Sequence, residues 1–127
     1  MLQDAPLYSY IPAKDVARAR KFYEDKVGLK AKMEINGGVV FAFGQGTAAF
    51  LYPTPNAGTS QASQAFWEVK DIEQEVAALK QRGVKFEHYD VAEMNMDQND
   101  IATGGGAKAA WFKDSEGNIM ALIQTLA

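Results

Sequence analysis

A chain of 127 residues with 47% apolar and 23% charged residues has the size and composition of one compact domain around a single core. Its net charge of −3 argues against nucleic acid, no apolar run approaches a membrane span, and Met1–Pro6 lacks the basic and apolar regions of a secretory signal. Cysteine is absent and histidine occurs once, at His88, which excludes disulfides, thiolate metal sites and a two- or three-imidazole metal centre, and fits a cytoplasmic location.

The first element in chain order is a strand over Ser9–Lys14 that runs into a helix capped by Asp15, whose carboxylate suits the free amides of a first turn. Val16, Ala19, Phe22 and Tyr23 fall on one helical face, and Gly28 supplies the left-handed residue that stops the helix. Strands are expected over Lys30–Ile35, Val39–Phe43 and Thr47–Tyr52, separated by the turns Asn36-Gly37-Gly38 and Gly44-Gln45-Gly46. Residues 53–61 read as a linker.

The pattern then repeats. Phe66–Lys70 leads into a helix capped by Asp71, with Gln74 placed to complete a capping box. Arg18 cannot play that part for Asp15. Ile72, Val76 and Leu79 form the apolar face of the second helix, and Gly83 ends it. The two aspartates lie 56 positions apart and the two glycines 55. After Gly83 come a strand over Lys85–Tyr89, a long irregular stretch over Asp90–Gly106, and strands over Ala107–Lys113 and Asn118–Thr125. The irregular stretch suits a lid or binding loop, with Met94 and Met96 as adaptable contacts and Gly104-Gly105-Gly106 as a hinge. The fold class predicted is α+β: a single domain over 1–127, built from two βαβββ modules at about 7–52 and 62–125. The modules form a curved mixed sheet with helices on its outer face.

Trp111-Phe112-Lys113-Asp114-Ser115-Glu116-Gly117-Asn118, followed by Ile119–Leu122, closely resembles the strand-turn-strand signature that ends domains of the glyoxalase, bleomycin-resistance and extradiol-dioxygenase superfamily, the vicinal oxygen chelate fold. Phe22-Tyr23-Glu24 and Val27-Gly28-Leu29 resemble the end of that family's first helix. The resemblance implies four places, two per module, where metal-using members carry ligands. They fall here on Tyr8, Gln64, Ala121 and a residue near Leu51. Alanine and leucine cannot ligate, and a neutral amide binds transition metals poorly. No metal or other cofactor is therefore expected. The resemblance also implies a homodimer, as in the bleomycin-resistance branch, with ligand crevices between subunits.

Strand alternation places Tyr10 with Tyr8, Phe66 and Glu68 with Gln64, and Trp111 with Ala121, if Lys113 pairs with Ile119. An aromatic-walled cavity holding a few polar groups suits a small-molecule ligand, with Tyr8, Tyr10, Gln64, Phe66, Trp111 and Ala121 in contact with it. Closed-core packing of the same aromatics is the alternative. Glu68 is the one candidate catalytic residue, a base if held among aromatics and a solvated strand-end glutamate otherwise. His88, Asp90 and Glu93 are close enough in sequence to form a proton-transfer pair or a stray metal site, or to decorate the surface. The readings that follow are a metal-free small-molecule binding protein, a lyase, isomerase or dioxygenase with a non-standard site, and a protein-binding subunit or sensor.

Overall fold

The structure, a computed structural model, describes residues 1–127. The first module comprises β1 (Ser9–Ala13), α1 (Val16–Lys21), β2 (Ala31–Ile35), β3 (Gly38–Ala42) and β4 (Ala48–Pro53). The second comprises β5 (Ser63–Glu68), α2 (Ile72–Gln81), β6 (Ala102–Gly104), β7 (Ala107–Lys113) and β8 (Ile119–Thr125). Each module closes its own four-stranded sheet, in the orders β1-β4-β3-β2 and β5-β8-β7-β6. The strand before each helix pairs parallel with the module's last strand, and the remaining pairs are antiparallel. The α+β architecture of two βαβββ modules is thus the one the repeat predicts. No helix is long and apolar enough to cross a membrane.

Local chemistry sets the helix boundaries. Asp15 accepts from the Arg18 amide at 3.0 Å and Asp71 from the Gln74 amide at 3.1 Å, so both aspartates cap as expected. The reciprocal half of the expected Asp71–Gln74 box does not form; Asp71 caps alone. Beyond Lys21 the first helix continues as a π-wound segment over Phe22–Val27, and Gly28 ends it at φ 86°. Gly83 follows α2 at φ 94°.

The second module differs from expectation after α2. Lys85–Tyr89 forms no strand; only Phe86 bridges to Phe112. The first strand after α2 is β6, inside the stretch read as irregular. Gly105 and Gly106, at φ 61° and 80°, form the two-residue turn between β6 and β7. Two consecutive positive φ values are what a tight hairpin requires, so the glycines are a hairpin turn and not a hinge.

One hydrophobic cluster draws on both modules: Ile11, Phe41 and Leu51 from the first sheet and Ala110, Phe112, Met120 and Leu122 from the second. Ala19 and Tyr23 from α1 join it, with Ile72, Val76 and Leu79 from α2. The helix-bearing faces of both sheets therefore share a core, and the opposite face of each sheet is left uncovered. Tyr10 and Phe66, on those opposite faces, are each 60% exposed.

Candidate functional site

The β1–β4 register pairs Tyr10 with Phe50 and Pro12 with Tyr52. Alternation puts these side chains together on the uncovered face of the first sheet. Tyr10 lies 4.8 Å from Tyr52 and 6.1 Å from Phe50 between ring centroids, so the three rings form a contiguous aromatic platform. On the uncovered face of the second sheet, Phe66, Ala121 and Trp111 are register partners across β5, β8 and β7. Lys113 does pair with Ile119, which places Trp111 in this row, and Tyr89 packs on it edge-on at 5.7 Å. The edges of β1 and β5 approach where Gln64 Nε2 donates to the Tyr10 carbonyl at 3.0 Å.

Four of the six predicted site residues thus fall on two aromatic faces, Gln64 bridges their edges, and Tyr8 stands exposed just before β1. Leu51 does not belong with them. It is fully buried in the core between Ile11 and Val39, and β4 presents Phe50 and Tyr52 to the uncovered face instead. A one-residue offset exchanges the faces of a strand. The four places to which the resemblance assigns ligands, with β4 read one residue to either side of Leu51, accordingly hold a phenol, an amide, an alanine and an aromatic ring. Such a set does not fit a transition metal, which needs about three good N, O or S donors.

Glu68 is exposed at the end of β5, the solvated state expected of a strand-end glutamate. His88 does not gather Asp90 and Glu93. Its Nδ1 lies 2.8 Å from Asp100 Oδ1, and Lys80 approaches the other oxygen of Asp100 at 3.0 Å. Burial opposes ionisation of Asp100, but the hydrogen bonds from Lys80 and His88 outweigh it and hold the carboxyl below its usual range. No group of three His, Cys, Asp or Glu side chains comes together anywhere in the chain.

A groove of about 740 Å³ lies on the helix-bearing side. Ile11, Phe43, Ala65, Trp67 and Met120 line it, and of the six predicted residues only Phe66 reaches it. Sequence alternation contained its signal, because Ser9, Ile11, Ala65 and Trp67 form the complementary set to the one chosen.

A second feature missed from sequence is a polar clasp between the modules. Glu116, in the turn before β8, accepts from the amides of Lys14 and Asp15 at 2.9 and 3.0 Å, and Arg18 grips both its oxygens at 2.8 and 2.9 Å. Its side chain is fully buried. Burial raises its pKa, but the bonds from Arg18, the Asp15 amide and Ser115 outweigh that and hold the carboxyl at about 2. Asp114 accepts from the Tyr23 hydroxyl at 2.6 Å and from the amides of Glu116 and Asn118. Burial first, then the Asp114 charge, pushes the Tyr23 hydroxyl well above its ordinary pKa. Asn118 donates to the Pro12 carbonyl at 2.7 Å and accepts from the Gly58 amide. The turn that carries the family resemblance therefore works as a structural fastener. Its sequence signal was Arg18, which breaks the capping pattern of the repeat because it serves Glu116.

Comparison with known proteins agrees with this architecture. The profile of the Glyoxalase/Bleomycin resistance protein/Dioxygenase superfamily matches residues 7–122. No curated protein matches the chain. Among solved structures, TnmS3, an antibiotic binding protein from Streptomyces sp. CB03234, superposes with a TM-score of 0.72 at 20% identity, covering 96% of this chain and 98% of its own. A glyoxalase/bleomycin resistance protein/dioxygenase from Alicyclobacillus acidocaldarius does so with a TM-score of 0.72 at 17% identity, over 98% and 93% of the two chains. A lactoylglutathione lyase from Agrobacterium tumefaciens gives 0.66 at 18% identity, over 95% and 93%. At such identities the structural likeness speaks for the fold, while the profile match extends over nearly the whole sequence. The chain belongs to the glyoxalase/bleomycin resistance protein/dioxygenase superfamily.

Proposed function

We propose that this protein binds a small molecule without a metal ion, on the aromatic faces that its sheets leave uncovered. The observation that carries the reading is the replacement of all four ligand positions together. Tyr8, Gln64, Ala121 and the Phe50/Tyr52 pair offer rings, an amide and a small floor in place of donors. Apolar walls with a few orienting polar groups are the usual make-up of a ligand site. The Tyr10–Phe50–Tyr52 platform provides a stacking surface, and Phe66, Trp111 and Tyr89 provide a second. The antibiotic-binding description of TnmS3 is in keeping with this reading.

Each platform is half of an enclosure, since large apolar groups on it stand in solvent: Tyr10, Met33 and Ile35 on one sheet, Phe66 on the other. Contiguous exposed apolar surface of this kind marks an interaction site. A homodimer that brings a face of one copy against a face of the other completes the cavity, and the absence of cysteine suits the cytoplasm as its location.

Thermal-shift screening against aromatic small molecules tests the function, because a ligand of the native state raises Tm. Tyr10→Ala and Trp111→Ala are expected to abolish the shift produced by a hit, with each variant still folded. A hit whose shift survives both substitutions contradicts the assignment.

A further inference from the structure

The rings on the uncovered face of the first sheet do not form one flat floor. Phe50 and Tyr52 lie nearly parallel, at 23°, with centroids 6.3 Å apart. Tyr10 is tilted against them by 52° and 58°. A flat molecule stacked on Phe50 and Tyr52 therefore stands steeply to Tyr10, whereas a compact, rounded group can touch all three rings at once. The chain's own cation–π contact, Lys26 on Phe22, is made at the end of the first helix and uses none of them. Register and alternation put Pro12, Val40, Met33 and Ile35 around the three rings, and none of these is charged. Lys14, next on this side of the chain after Pro12, lines a separate depression with Pro53, Thr54 and Pro55. Among the register-paired positions of the second uncovered face, Lys113 lies 3.7 Å from Glu87, and Glu68 stands in solvent. The uncompensated charge along the two faces is thus negative, as is the net charge of −3.

We infer that the cup formed by Tyr10, Phe50 and Tyr52 holds a compact organic cation, the trialkylammonium head of a ligand; the inference rests on the aromatic-face reading above and names the ligand class. The face of an aromatic ring carries the negative part of its quadrupole and attracts a cation set over it. An uncharged group of the same shape gains only the burial of its surface. A fully alkylated nitrogen suits the cup better than a primary amine. It has no N–H donors to strip of water, while a primary ammonium loses hydrogen bonds that three rings replace poorly. Phe50 and Tyr52 are half-buried, which holds their rings in place, and the exposed Tyr10 leaves the cup open to solvent. A planar guanidinium belongs with the flat molecules and meets only part of the cup.

Proton NMR titration with choline and with 3,3-dimethylbutan-1-ol, its uncharged isostere, tests the inference at pH 7. Choline is expected to bind about tenfold tighter than the isostere. Tyr10→Leu and Tyr52→Leu keep apolar bulk but remove a ring, and each should bring choline down towards the level of the isostere. Tyr10→Phe retains the ring and should retain most of the preference. Met33→Lys, at an exposed position on the same face, should weaken choline severalfold and leave the isostere nearly unchanged. Equal affinity for the two compounds, binding of neither, or a preference for choline that survives both leucine substitutions would overturn it. Loss of a neutral aromatic hit in Tyr10→Ala supports the proposed function whatever choline does, so failure of the cation and failure of the site are distinguishable.

Discussion

Glu116 joins the two modules through the amides of Lys14 and Asp15 and the Arg18 guanidinium. Its carboxyl lies at about 2 against an ordinary value of 4.5, so its contribution is complete above pH 4.5 and is lost as pH falls towards 2. Arg18 is about half exposed and its charge is screened by solvent. After that allowance, Glu116→Gln is expected to cost roughly 2 kcal/mol at neutral pH, and the deficit should shrink as the wild type is titrated below pH 3. Urea denaturation of both proteins across that range measures it. Tyr23→Phe removes one of the bonds that Asp114 accepts, and about 1 kcal/mol of stability should go with it. At this scale the capping aspartates were legible because a cap is a local contact. Glu116 was not, since its partners at Lys14, Asp15 and Arg18 lie about a hundred positions away.

Among the elements, the first module was readable to within a residue or so, because its turns carry glycines between runs of alternating or apolar character. The second was misread after α2. Phe86 is apolar and meets Phe112, yet a single bridge is not a ladder, and β6 has only three residues, Ala102–Gly104, too few for alternation to register. The linker between the modules carries a further dependence on the clasp. Gly58 sits at φ 72°, and a Cβ there would collide with the Glu116 carbonyl. Gly58→Ala is therefore expected to destabilise the protein by about 2 kcal/mol through strain and displacement of the turn. Gly104→Ala, where a Cβ meets open space, should cost far less. Thermal melts of the two variants compare them directly.

On the scale of the whole molecule, the repeat, the terminal strand-turn-strand segment and the motif that ends the first helix made the fold visible in the sequence. The division of the chain into one shared core and two uncovered aromatic faces was not visible, because alternation says which residues share a face without saying which face is covered. That division motivates the proposed homodimer. Light scattering after size exclusion should give twice the 13.9 kDa chain mass, and Tyr10→Glu should return it to one chain. The most direct test of the central claim, that the site works without a metal, is metal analysis of the purified protein combined with calorimetric titration of nickel, zinc and ferrous ions. The account predicts no stoichiometric metal and no binding tighter than the weak association of surface carboxylates. One equivalent of a tightly held metal, removed by a chelator together with a catalytic activity, would contradict it.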